Sequence, residues 1–253
     1  MRETLLAGDD NAGRGDQAAR TVNSAPPPAS TRALAVVHRH VAGDVAALRG
    51  VTLELRLDEL TAVAGPSGAG KTTLLRALAG ELHPTAGVAL LGGRDAVSAR
   101  RSHDAAAALL LRDDPARPPR SWARRAPRRT RLVEPASLSR LRLRSLIGRA
   151  PATMSSGERR RVDLLVALAT TDAHVVLVDD PTRGLDHAAA RTMVGELRAV
   201  ARRGRCVVMT TTDPAVAGLA DRTLTLAGGR VVADRMSSAR TTEDRPIAAR
   251  DGQ

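Results

Sequence analysis

Lys71 is the only lysine in a chain with 39 basic residues, so the remaining 38 are arginines. It lies in a run that could hold phosphate: Gly65-Pro66-Ser67-Gly68-Ala69-Gly70-Lys71-Thr72. A compact ammonium on a flexible stem fits beside phosphate oxygens inside a tight loop, and a planar guanidinium does not. Gly65, Gly68 and Gly70 permit backbone conformations that other residues resist. Successive N–H groups then converge into an anion nest. A helix starting near Gly70 adds its positive dipole end. In this arrangement Lys71 contacts the β- and γ-phosphates, the Thr72 hydroxyl ligates Mg²⁺, and Thr73 bonds the α-phosphate. The expected ligand is a nucleoside triphosphate with magnesium.

The flanks supply the elements that must position those groups. Thr61-Ala62-Val63-Ala64 is strand-like, and Thr73-Leu74-Leu75-Arg76-Ala77-Leu78-Ala79 is helix-like. Strand, glycine-rich turn and helix are the context a P-loop requires. Along the chain the pattern alternates. Strands are expected at 51–57, 87–91, 175–178, 206–210, 222–226 and 230–232. Helices are expected at 188–202 and 214–219. Val175-Val176-Leu177-Val178 is a continuous apolar run of the buried parallel type. Helices between apolar strands predict an α/β fold with a parallel sheet and crossover connections.

Composition bounds the rest. At 253 residues the chain can bury one α/β domain with a subdomain and loose ends. Phe and Tyr are absent and Trp122 is the only tryptophan, so Leu, Val and Ala must build the core. The scarcity of Lys, Phe and Tyr beside abundant Ala and Arg points to GC-rich codons and a bacterial source. A net charge of +12 suits an anionic partner. The lack of aromatic stacking platforms argues against single-stranded nucleic acid. Cys206 is the lone cysteine, so no intrachain disulfide can form, which fits a cytosolic compartment. No signal peptide and no apolar stretch of membrane-spanning length is evident. Residues 1–31 and 236–253 read as disordered tails around a folded unit at 32–235.

Two further motifs complete the pattern. Met154-Ser155-Ser156-Gly157-Glu158 opens a helix in which Ser155 and Glu158 form a capping box. Val175–Asp179 leads into Asp180-Pro181-Thr182-Arg183-Gly184-Leu185-Asp186, which alone would be a strand ending in an acidic turn. With the P-loop, in this order and spacing, these segments resemble the ATP-binding subunit of an ABC (ATP-binding cassette) transporter. The resemblance covers about residues 33–233. It implies a RecA-like parallel-sheet core, a small antiparallel β-subdomain and an inserted helical subdomain at about 95–170. It implies that Ser155, Ser156, Gly157 and Glu158 form the signature that meets ATP held by an opposite subunit. By the same resemblance Asp179 is the aspartate that holds magnesium, and Asp186 lies at a dimer interface. The implied cofactors are ATP and Mg²⁺. The implied partners are a separate transmembrane permease and a second ATP-binding subunit, identical or different. The implied location is cytoplasmic, at the inner face of the membrane.

The departures from that pattern bear on catalysis. The family carries a glutamate where this chain has Asp180, which with Lys71 forms the expected catalytic pair. The family's histidine in the last loop is Thr212 here. Its glutamine between P-loop and signature is replaced, with Arg112 the expected occupant. The adenine-stacking tyrosine is replaced too. His40, in His38-Arg39-His40, is the best stacking candidate, although both histidines could be strand-edge polar residues. ATP binding is therefore expected to be intact and hydrolysis slow. The rival reading is a non-transport P-loop ATPase that switches on nucleic acid or a protein partner. The arginine-rich stretch 112–149, with Trp122, is expected to dock on a permease or to be a solvated basic face. Its end, residues 138–147, could be helix or strand, with helix favoured.

Overall fold

The computed structural model describes residues 25–40, 43–102, 108–111, 139–140, 143–146, 153–155, 158, 161–162, 164–165, 167–168 and 172–237. Two sheets carry these residues. The first joins β1 (Ala29–His40), β2 (Gly43–Leu55), β4 (Ala86–Leu91) and β5 (Arg94–Asp95) in the order β2-β1-β4-β5. Its neighbouring strands all pair antiparallel. The second has the order β10-β9-β3-β8-β7-β6. Its strands are β3 (Glu59–Ala64), β6 (Ala108–Leu111), β7 (Val175–Val178), β8 (Cys206–Thr211), β9 (Arg222–Ala227) and β10 (Arg230–Met236). Five of them run parallel, and β10 pairs antiparallel with β9 at the edge.

Four α-helices have described bounds. They are α1 (Lys71–Leu78), α2 (Ala96–Arg101), α3 (His187–Ala201) and α4 (Pro214–Ala217). The last three start on aspartates whose carboxylates accept a backbone N–H: Asp95 from Ser98, Asp186 from Ala189 and Asp213 from Ala215. Such caps satisfy donors left over at a helix start. Helix α1 has no such side chain; it follows Gly70 directly.

The parallel sheet is apolar on both faces. Val176 and Val178 pack with Leu60, Met209, Met193 and Leu197 on one side. Val175 and Leu177 pack on the other with Leu74, Leu75, Leu78 and the antiparallel sheet's Leu34 and Leu48. This is why β7 reads as an unbroken apolar run rather than an alternation. In contrast, β2 alternates: Val51, Leu53 and Leu55 are buried while Thr52 and Glu54 are exposed.

Several boundaries differ from the sequence expectation; β2, expected from residue 51, already begins at Gly43. Strand β1 begins at Ala29, inside the segment read as a tail, and Ala29 to Thr31 pair with both Leu55–Leu53 and Leu91–Ala89. The proline-rich segment leading into them suggested a disordered tail, yet these small side chains fit between two strands and are buried. Strand β10 continues to Met236, and the Ser237 N–H donates to the Asp221 carbonyl at 2.8 Å, so order persists past residue 235. Strand β6 falls within the stretch assigned to the helical subdomain, but it pairs with β7 and belongs to the central sheet. At four residues it is too short to show a period. In the segment 138–147, Ser139 and Arg140 are helical and Arg144–Leu146 is a 3-10 turn.

Candidate nucleotide site

The strand order places the chemistry. β8 lies between β3 and β7. The P-loop leaves the carboxyl end of β3, and Asp179 and Asp180 leave the carboxyl end of β7. All three strands point the same way. Ligands of open parallel sheets sit at this end.

The loop is clamped from two sides. Gly65 has φ 153°, and a Cβ there would collide with the Leu226 carbonyl oxygen of β9. Gly70 has φ 102°, and a Cβ there would collide with the Ala47 carbonyl oxygen of β2. Only glycine permits both the conformation and the approach. The Gly229 N–H donates to the Ala69 carbonyl at 3.2 Å, and the Arg49 N–H donates to the Gly229 carbonyl at 2.8 Å. The turn between β9 and β10 thus ties the loop to the antiparallel sheet. Pro66, Ser67 and Gly68 remain exposed.

Lys71 folds over this loop. Its Nζ donates to the carbonyls of Gly65 and Pro66, each at 2.8 Å. Burial holds its pKa below the ordinary 10.5, and the charges of Asp180 and Asp179 oppose that shift. Both carboxylates therefore act on the ammonium.

The next residue reaches the other motif. The Thr72 hydroxyl donates to Asp179 Oδ2 at 2.9 Å. Asp179 Oδ1 accepts from the Thr210 hydroxyl at 2.6 Å. The Asp180 N–H donates to the same Thr210 oxygen at 2.9 Å. Asp180 itself sits at φ 48°, a left-handed conformation that aspartate tolerates better than most residues. Arg183 Nε lies 4.0 Å from its Oδ2. A hydroxyl and a carboxylate side by side are hard oxygen donors of the kind magnesium takes together with phosphates. Among the described residues no cluster of three or more His, Cys, Asp or Glu could hold a metal without such help. Thr72 and Asp179 therefore offer an oxygen pair whose chemistry fits a magnesium ion.

The remaining expected residues are placed as follows. Thr73 Oγ1 lies 3.4 Å from His38 Nε2, so His38 is the histidine that reaches the P-loop helix. The His40 side chain lies outside the described residues. Ser155 and Glu158 form the reciprocal capping box: the Ser155 N–H donates to Glu158 Oε2 at 2.8 Å, and the Glu158 N–H to Ser155 Oγ at 3.2 Å. Ser156, Gly157, Arg112 and Trp122 lie outside the described residues. Thr212 is exposed just past β8. Asp186 caps α3. Two participants escaped the sequence reading. Thr210 is one; its only signal was a run of three threonines ending an apolar strand. The contact of His38 with Thr73 is the other, since spacing favoured His40.

Fold and loop together define a P-loop nucleotide-binding domain. The family model described as "ABC transporter" matches residues 48–183, more than half of the chain. The chain belongs to the ABC transporter family. The macrolide export ATP-binding/permease protein MacB of Rhodospirillum rubrum is 34% identical over 82% of this chain and 34% of its own length. The molybdenum import ATP-binding protein ModC of Mycobacterium tuberculosis is 34% identical over 77% of this chain and 62% of its own. The chain thus spans about a third and under two thirds of these two relatives. Among solved structures, the dimeric ATP-binding cassette MJ0796 bound to ADP and Pi superposes with TM-score 0.70 at 20% identity, covering 82% of this chain and 98% of that one. An ATP-binding subunit of an ABC transporter gives TM-score 0.67 at 21% identity, covering 82% and 89%. At that identity these structures establish the fold: an ABC-type ATP-binding cassette.

Proposed function

We propose that this chain is the ATP-binding subunit that powers a separate transmembrane permease, working as a dimer at the inner face of the membrane. The observation that carries the reading is the meeting of Thr72 and Asp179 beside Lys71, which assembles triphosphate and cation groups at one sheet end. Relatives named as macrolide exporter and molybdenum importer favour transport over a switch on nucleic acid. Among the described residues no helix is long and apolar enough to cross a membrane. In this proposal the spanning falls to a permease segment outside the described residues.

The steps follow from the side chains. ATP enters the loop and draws Lys71 from the Gly65 and Pro66 carbonyls onto its phosphates. Thr72 and Asp179 would hold magnesium, which would neutralise phosphate charge when bound. Ser155, Ser156, Gly157 and Glu158 close on the nucleotide of the opposite subunit, and Asp186 lies at that dimer seam. Asp180 orients the attacking water. His40 or His38 lies against the base. Hydrolysis is slow, because Asp180 is one methylene short of glutamate and Thr212 and Arg112 replace the other catalytic groups. Catalysis of this type is mostly positioning, so small displacements are costly.

ATP-dependent dimerisation tests the proposal. With Mg-ATP the purified chain, alone or with a cognate second ATP-binding subunit, is expected to shift from monomer to dimer in light scattering, and Asp180→Asn to hold the dimer longer. A monomer under all of these conditions would count against it.

A further inference from the structure

Thr210 has no place in the motifs above, yet it touches both aspartates. We propose that Thr210 is a positioning residue that sets the two carboxylates of the β7 end with one hydroxyl. The proposal rests on the ATP-site reading and extends it. A threonine hydroxyl has one proton and two acceptor lone pairs. The Asp180 N–H can only donate, so at 2.9 Å the Thr210 oxygen accepts there. Its single proton is then directed to Asp179 Oδ1 at 2.6 Å. The donor sense of both bonds is fixed by chemistry.

Two consequences follow. Asp179 is held by a hydroxyl on each oxygen, Thr210 on Oδ1 and Thr72 on Oδ2. Its rotation is therefore restrained in the absence of nucleotide. Asp180 is held at its backbone in the left-handed conformation, which aims the shorter side chain from a fixed start. The hydroxyl is fully buried in a strand that is otherwise Cys206-Val207-Val208-Met209 up to this point. A valine would fit that strand as well and would break both bonds. The neighbouring Thr211 is also buried but serves another purpose: its hydroxyl accepts the Asp213 N–H at 3.1 Å, at the start of α4. Strand alternation separates the two roles.

The test compares Thr210→Val and Thr210→Ser in the full chain. Affinity for ATP is measured by calorimetry with and without Mg²⁺, and single-turnover hydrolysis at saturating Mg-ATP. In Thr210→Val the affinity for Mg-free ATP stays within about threefold of wild type. The gain in affinity on adding Mg²⁺ shrinks by about tenfold or more, and the single-turnover rate falls by about 10- to 100-fold. Thr210→Ser restores both to within about threefold, because it keeps the hydroxyl and loses only a methyl. If the valine variant does not fold, Thr210→Ala is read on the same scale. A valine variant with wild-type magnesium dependence overturns the proposal, as does a serine variant as impaired as the valine one. Lys71→Ala separates this claim from the reading beneath it. Retained ATP binding in Lys71→Ala overturns the ATP site and this proposal with it. Lost binding there, with an indifferent Thr210→Val, overturns this proposal alone.

Discussion

The Thr72 hydroxyl donates to Asp179 Oδ2 at 2.9 Å although 107 positions separate the two residues in sequence. The contact exists because β8 spaces β3 and β7 so that both strand ends open on one site. Either residue alone is ordinary. Together they form the oxygen pair that a cation and a triphosphate require. Thr72→Val is expected to leave Mg-free ATP binding within about threefold and to remove most of the magnesium-dependent gain. An unchanged magnesium dependence in calorimetry would show that Thr72 is not a cation ligand.

Asp180→Glu tests the proposal that a shortened carboxylate slows turnover. Restoring the longer carboxylate is expected to raise kcat by about tenfold or more, within the range typical for a misplaced catalytic group. Glutamate is less at ease than aspartate at the φ of 48° found here, so a slightly lower melting temperature accompanies the gain. A kcat equal to or below that of wild type would remove side-chain length as the cause.

The Arg222–Asp234 pair predicts an acid limb of stability. Arg222 donates to Asp234 from Nε at 2.8 Å and from its second guanidinium nitrogen at 2.6 Å. These bonds, the first cause of the shift, lower the Asp234 pKa below its ordinary 3.8. A depressed carboxylate pKa adds stability above the unfolded value, and that stability is lost as pH falls through the folded value. Asp234→Asn should therefore lower stability near neutral pH and flatten the decline below about pH 4. Parallel declines in denaturant titrations of the two proteins would refute the linkage.

Cys206 should be chemically silent in the folded chain. It is buried in β8, and burial beside Glu59 pushes its thiol up to about 12. Thiolate is the reactive form, so iodoacetamide is expected to label Cys206 only after unfolding. Rapid labelling of native protein would show that β8 opens.

How much of this was legible in sequence depends on the range of the interactions. The P-loop could be read because its parts are contiguous and each has a local reason: φ values for Gly65 and Gly70, a compact cation for Lys71. The Ser155–Glu158 box was legible for the same reason, its partners being three positions apart. Strand β7 announced itself by burial on both faces. Strand β1's start was hidden because a proline-rich segment leads into Ala29, Ser30 and Thr31, and only two partner strands make them core. β6 was hidden by its length. Thr210 was hidden because its partners lie on another strand; nothing next to it in sequence says that Asp179 and Asp180 will arrive there. Spacing favoured His40, and the contact of His38 with Thr73 was hidden because it joins β1 to a helix 35 residues on.

The reading as a whole stands on Lys71, now closed on the Gly65 and Pro66 carbonyls and expected to turn onto phosphate. Calorimetric titration of Mg-ATP into the wild-type chain and into Lys71→Ala measures this. The wild type is expected to bind with one site per chain, and Lys71→Ala to lose at least about 100-fold in affinity, since a charged contact inside a tight anion nest is removed. Equal affinities in the two proteins would contradict the assignment of this loop as the nucleotide site.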